Sequence, residues 1–81
     1  MLFVEQIKAA RMLLDWDQHK LAQKAGVSLG TIKRLEATPG VIGGTMETVM
    51  KIRHALEVAG VIFISADNEG GTGVRLAKPK R

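Results

Sequence analysis

The stretch of residues 18–36, QHKLAQKAGVSLGTIKRLE, constrains the fold of this chain more than any other. Apolar residues recur at helical spacing in each half, at Leu21, Ala22 and Ala25 and then at Leu29, Ile32 and Leu35. Helices this short are unstable alone, so the two stripes must pack against each other and a third element. Between them, Gly26 permits the positive φ that ends a helix, and Ser28 can cap the next one. The stretch therefore predicts two short helices joined by a tight turn.

This stretch resembles the helix-turn-helix of the Cro/C1-type, or XRE-type, transcriptional regulators. The resemblance rests on Gln18, Leu21-Ala22, Ala25-Gly26-Val27-Ser28, Thr31-Ile32 and Leu35-Glu36. It is strongest over residues 18–36 and extends more loosely from the start of the chain to about Gly60. It implies a mainly α, lambda-repressor-like domain of about four helices. Its second motif helix, residues 28–36, would enter the major groove of double-stranded DNA as part of a homodimer over two half-sites.

Length and composition restrict the classes of function. A chain of 81 residues forms one small domain, which is too small to enclose a roomy substrate cleft as well as a core. Without cysteine there is no disulfide framework or thiolate metal site, which fits a reducing cytoplasm. No apolar run approaches the roughly 20 residues of a membrane span. We therefore expect a cytoplasmic protein with no membrane segment.

Positive charge is concentrated in two parts of the chain. The net charge is +4, and residues 18–36 carry Lys20, Lys24, Lys33 and Arg34 against Glu36 alone. Residues 61–81 carry a second basic excess, which ends in a basic tail at 78–81. Both regions could meet phosphates, and the tail would add a weak attraction. The alternative is that these side chains only solvate helix surfaces.

Outward positions of the second motif helix are the candidate base contacts. Lys33 or Arg34 can donate to guanine O6 and N7, and Ser28 or Thr31 can reach a base edge or a phosphate. Leu29 is ambiguous, because it can meet a thymine methyl or face the core with the rest of its stripe.

The remaining candidate contacts are less direct. Gly30 either permits close approach to the duplex or is tolerated at a cost of up to about 1 kcal/mol relative to alanine. The resemblance implies that Gln18 contacts a backbone phosphate, and Lys51 of a later helix could contact another. The helix has fewer polar readers than is usual in the family, so the sequence predicts no base preference.

Residues 4–15 predict the first helix, with Ile7, Ala10 and Leu14 facing inward. The resemblance implies that Arg11 pairs with Glu36 at the end of the recognition helix. The alternative is two solvated charges. Trp16 follows this helix and either packs across the joint between the first two helices or stacks on nucleic acid.

After the motif the chain predicts a loop, one more helix and a hairpin. Residues 37–44 are rich in turn formers, and Thr45 suits the cap of a fourth helix that ends at Gly60. The inward stripe of this helix is predicted at Met46, Val49, Ile52, Leu56 and Ala59. Residues 61–64 and 73–77 are β-prone and flank turn formers, which predicts a short C-terminal hairpin. We expect residues 1–60 to form the DNA-binding core and the hairpin, residues 61–77, to contribute to the homodimer.

No combination of residues predicts an enzyme, a cofactor or a metal site. His19 and His54 have no second ligand at metal-binding spacing. The glycine-rich residues 70–73 lack the lysine and helix of a phosphate-binding loop. The leading hypothesis is a sequence-specific, dimeric repressor, because the sequence shows no separate effector or activation domain. The alternatives are an antitoxin-like DNA-binding protein that also masks a toxin partner, and a helix-turn-helix that serves as a protein-interaction module.

Overall fold

The computed structural model describes residues 1–79 as four helices followed by a β-hairpin. The helices are α1 (Val4–Leu14), α2 (Gln18–Ala25), α3 (Leu29–Glu36) and α4 (Met46–Val58), and the strands are β1 (Val61–Ile64) and β2 (Gly73–Leu76). This confirms the predicted fold class, a mainly helical domain with a short C-terminal hairpin. Of the predicted basic tail at 78–81, Lys80 and Arg81 lie outside the described residues.

Three of the helices begin directly after a residue whose side chain caps them. Asp17, Ser28 and Thr45 precede α2, α3 and α4, and each side chain accepts a backbone N–H from three residues further on. Such a bond satisfies one of the unpaired donors at the start of a helix. The first helix ends at Leu14, one residue earlier than predicted, because Asp15 has a left-handed φ of 58°.

The apolar stripes of the helices meet in one core. Its largest fully buried side chains are Val4, Ile7, Leu21, Ile32, Ile52 and Leu56. Val61, the first residue of β1, joins them with only 3% of its surface exposed. Trp16 lies at the junction of α1 and α2 and packs, half-buried, against this core, which agrees with the packing interpretation of this residue.

The predicted inward stripe of α4 is wrong at its first residue. Met46 is 76% exposed, whereas Ile52 and Leu56 are fully buried. Met46 directly follows the capping Thr45 and lines an open surface groove with Met1. The helical spacing of the stripe therefore continues beyond the part of α4 that the other helices cover.

A buried glutamine of α1 fixes the hairpin to the helices. The strands are antiparallel, and Ile64 lies opposite Gly73 at the end next to the connecting loop. Gln6 Nε2 donates to the carbonyl oxygens of Ile64 and Gly73 at 3.3 and 3.0 Å. Its Oε1 accepts the backbone N–H of Phe3 at 2.9 Å. Nothing in the sequence around Gln6 predicts these bonds.

The loop between α3 and α4 is held against the start of the chain. The N–H of Val4 donates to the carbonyl of Gly40 at 2.8 Å, and the N–H of Ile42 donates to the carbonyl of Leu2 at 2.9 Å. In a free loop, these backbone N–H and C=O groups would form hydrogen bonds with water instead. The predicted loop is therefore irregular but follows a fixed path.

Candidate nucleic-acid interface

A tight turn at Gly26 sets the position of α3 relative to α2. Gly26 has a φ of 71°, a conformation that glycine adopts without steric cost. The backbone N–H groups of Gly26 and Val27 both donate to the carbonyl of Ala22 and so close the end of α2. Ala22 itself is buried in the core with α3 residues, and its small side chain lets the two helices approach closely.

One face of α3 packs into the core. Ile32 and Leu35 are buried, with 1% and 7% of their surfaces exposed. Leu29 packs, half-buried, against the same core. Of its two interpretations, the structure favours the core position, and only the remaining surface of Leu29 is free to meet a thymine methyl. The buried face orients the helix so that its other side meets solvent.

The outer face of α3 brings most of the predicted DNA contacts together. Ser28, Gly30, Lys33 and Arg34 are exposed, and Thr31 is half-buried. The hydroxyl oxygens of Ser28 and Thr31 lie 2.8 Å apart in the first turn, where free N–H groups and the helix dipole attract a phosphate. The positive side chains follow within the next turn. This surface can therefore contact both the phosphate backbone and base edges.

A buried ion pair holds the last residue of α3. Arg11 Nε and Nη2 donate to the two carboxylate oxygens of Glu36 at 2.8 and 2.7 Å, and Nη1 donates to the carbonyl of Trp16 at 3.1 Å. Gln18 Nε2 also donates to Glu36 Oε1 at 3.1 Å. The Arg11–Glu36 pair implied by the resemblance is therefore present, and the Glu36 carboxylate connects α1, α2 and α3.

The surroundings of Glu36 favour its charged form. Its side chain is only 4% exposed, and this burial by itself would raise the pKa of the carboxyl. The hydrogen bonds from Arg11 and Gln18 outweigh that effect, so the pKa of Glu36 lies below its ordinary value. The same hydrogen bond to Glu36 raises the pKa of Arg11. The pair is therefore fully ionised at neutral pH.

The other two predicted contacts, Gln18 and Lys51, lie on other helices. Gln18 is the half-buried first residue of α2, and its bond to Glu36 leaves one amide hydrogen for a phosphate at a helix N-terminus. Lys51 is exposed on α4 and lies 3.4 Å from Glu47, in a surface pair of the kind that contributes little energy. Both phosphate contacts stay predictions.

Residues 1–79 contain neither a cluster of metal ligands nor a helix that could span a membrane. No group of three or more histidine, cysteine, aspartate or glutamate residues in this part of the chain could hold a metal ion. His19 and His54 are both exposed and lie on α2 and α4. No helix of the described residues is long and apolar enough to cross a membrane.

Comparison with known families agrees with this geometry. The helix-turn-helix family model matches residues 7–61, which run from α1 to the first residue of β1. The matched segment includes every predicted DNA contact on the helices, whereas β2 and the predicted basic tail at 78–81 lie beyond it. A search of curated proteins found no match. Because the family model covers most of its length, the chain belongs to the Cro/C1-type, or XRE, family of helix-turn-helix DNA-binding regulators.

Proposed function

We propose that this chain is a dimeric transcriptional repressor that reads the major groove of its operator with α3. The outer face of α3 carries this proposal, because Lys33 and Arg34 are exposed on a helix whose other face is held in the core. Lysine and arginine are the side chains that most often contact guanine in the major groove. Occupancy of an operator is sufficient for repression, so the proposal requires no effector or activation surface beyond the surfaces that bind DNA and form the dimer.

Three parts of the chain have different roles in the proposed function. Residues 1–60 bind DNA, residues 61–77 contribute to the dimer, and the positive charge of the tail at 78–81 adds a weak attraction to phosphates. A two-fold dimer would place two copies of α3 in successive major grooves, about 34–36 Å apart. Gln18 and Lys51 contact phosphates in this arrangement and position α3 without reading sequence. The proposed location is the cytoplasm.

Selection from a pool of randomised duplexes tests the proposed function. The bound duplexes are sequenced after selection at two salt concentrations, and we expect enrichment of one two-fold symmetric site at both. Binding that disappears with salt and enriches no sequence would mean that the basic surface contacts only phosphates. No binding at low salt would instead favour the protein-interaction module, and copurification of a stoichiometric small protein would favour the antitoxin-like alternative.

Two substitutions separate base reading from phosphate contact. We expect Lys33→Ala to weaken binding and relax the sequence preference, whereas Gln18→Ala should weaken binding to all sites to a similar extent. Lys24→Ala is the matched control, because this exposed lysine of α2 lines a groove with His54 and Val58 of α4. Affinities are measured on the selected site and on a scrambled duplex. An equal loss in Lys24→Ala and Lys33→Ala would mean that only the total positive charge matters.

A further inference from the structure

An open groove of about 490 Å³ lies between the ends of α2 and α4. Its volume is within the range of sites that hold small molecules, about 300–1,000 Å³. The residues that line it are Trp16, Lys24, His54, Ala55, Val58 and Ala59. None of them is a predicted DNA contact or belongs to the hairpin. The groove is therefore separate from the surfaces proposed to bind DNA and to form the dimer.

Trp16 gives this groove an aromatic wall. The residue is half-buried, because it packs against the core and also lines the groove. Beside it lie the small side chains of Ala55 and Ala59 and the side chain of Val58, which is 73% exposed at the end of α4. Aromatic rings pair favourably when they are offset-stacked or meet edge to face. A planar aromatic ring therefore matches the apolar part of the groove.

The polar groups of the groove favour an anion. Lys24 and His54 are exposed, and no acidic side chain lines the groove. No hydrogen bond or ion pair within residues 1–79 holds the side chain of Trp16, Lys24 or His54. Ammonium and indole groups can only donate hydrogen bonds, and an imidazole can donate one as well. The groove therefore offers several unused donors, which suit a negatively charged acceptor.

These donors fit a carboxylate better than a phosphate. Phosphates in proteins are commonly bound by the planar fork of arginine or by the free N–H groups at a helix N-terminus. No arginine lines this groove, and neither does any residue from the first turn of a helix. One ammonium group and one imidazole supply the charge and the donors that a single carboxylate needs.

We propose that this groove binds a small planar aromatic carboxylate. The aromatic ring packs against the indole of Trp16 and against Val58, and the carboxylate accepts hydrogen bonds from Lys24 and His54. This inference goes beyond the proposed DNA binding and does not rest on it, because none of these four residues is a predicted DNA contact.

The single tryptophan of the chain reports binding directly. Naphthoate is titrated into the full chain without DNA, and the indole N–H resonance of Trp16 is followed by NMR. From the typical affinity per non-hydrogen atom of a small ligand, we expect this resonance to shift with a dissociation constant of roughly 1 mM or below. Naphthalenemethanol, which has the same rings without the charge, should bind more weakly. A resonance that does not move at ten times that concentration of naphthoate, or equal binding of the neutral compound, would overturn the proposal.

Two pairs of variants assign the binding to this groove. Lys24→Gln should weaken naphthoate binding by roughly two- to tenfold. Its matched control is Lys20→Gln, because Lys20 is an exposed lysine of α2 that does not line the groove, and we expect a change of less than about twofold. Val58→Lys should bind naphthoate more tightly than Val58→Glu by roughly two- to thirtyfold, because the two side chains place opposite charges at one exposed position.

The NMR spectrum of each variant without ligand checks that it folds. Equal losses in Lys24→Gln and Lys20→Gln would mean that only the total charge attracts the ligand, which would overturn the site. Equal binding by the two Val58 variants would overturn it as well. No duplex is present in these titrations, so failure of the ligand site is distinguishable from failure of the proposed DNA-binding function.

Discussion

Replacing Arg11 with methionine would leave Glu36 as a buried carboxylate with a single neutral donor. The native pair has two charge-assisted hydrogen bonds of 2.7 and 2.8 Å, and the Glu36 side chain is 4% exposed. Removal of one partner of a buried ion pair costs about 3–5 kcal/mol, because the other charge is left uncompensated. Gln18 still donates to Glu36, so we expect the lower value, about 3 kcal/mol. For a domain of this size, this loss lowers Tm by about 12–24 °C.

The loss of folding stability in Arg11→Met depends on pH in a definite direction. In the native chain the pKa of Glu36 is lowered, so its contribution to stability is present above the unfolded value of about 4.3 and is lost as pH falls through the folded value. Without Arg11, burial dominates and raises the pKa of Glu36. The variant then gains stability from the protonated carboxyl as pH falls. The difference in stability between the two proteins should therefore narrow between pH 7 and pH 4.5.

Urea unfolding followed by far-UV circular dichroism at several pH values measures this difference. Lys51→Met is the matched control, because Lys51 and Glu47 form an exposed pair at 3.4 Å whose side chains are 49% and 79% exposed. We expect that control to cost less than about 0.5 kcal/mol. An Arg11→Met variant as stable as the control, or a difference that stays constant with pH, would refute the reasoning.

Other substitutions test the hairpin anchor and the glycines of the motif. Gln6→Met removes both hydrogen bonds to the strand ends, so we expect a loss of about 1–3 kcal/mol and faster hydrogen exchange in the hairpin. The control is Gln23→Met on the exposed side of α2, and equal stability of the two variants would contradict the anchor. Gly26→Ala should cost about 1–2 kcal/mol in thermal unfolding because of its φ of 71°, and a neutral result would contradict the turn geometry. Gly30→Ala should stabilise α3 by up to about 1 kcal/mol, and weaker DNA binding by this more stable variant would show that close approach requires glycine.

Local chemistry made the helix and strand positions predictable. The caps at Asp17, Ser28 and Thr45 act within four residues of sequence, and so does the turn at Gly26. Burial depends instead on distant partners. Met46 has the correct spacing for an inward residue, but the sequence does not show that the helices fail to cover the start of α4.

Long-range polar contacts were the least predictable part of the site. Gln6 has the sequence context of an ordinary helical residue, yet its amide bonds to strand residues about 60 positions later. The pairing of Arg11 with Glu36 was expected from a family resemblance, and spacing alone would not have predicted it. The same resemblance predicted that Gln18 contacts a phosphate. Its bond to Glu36 was not predicted, because an amide N–H can donate to a phosphate or a carboxylate equally well. The outward-facing residues of α3 were easier to predict, since helical periodicity alone places Lys33 and Ile32 on different faces of the helix.

The backbone bonds between the first residues and the loop after α3 have a consequence for the thermodynamics of DNA binding. The bonds from Val4 to Gly40 and from Ile42 to Leu2 order this loop before any duplex arrives. Association then requires no coupled folding of the loop, so its heat-capacity change should reflect only the surface buried on docking. A protein surface of fixed shape cannot adapt to an imperfect site. Any mismatch in shape has to be met by deformation of the DNA, whose energy depends on base steps that α3 never contacts.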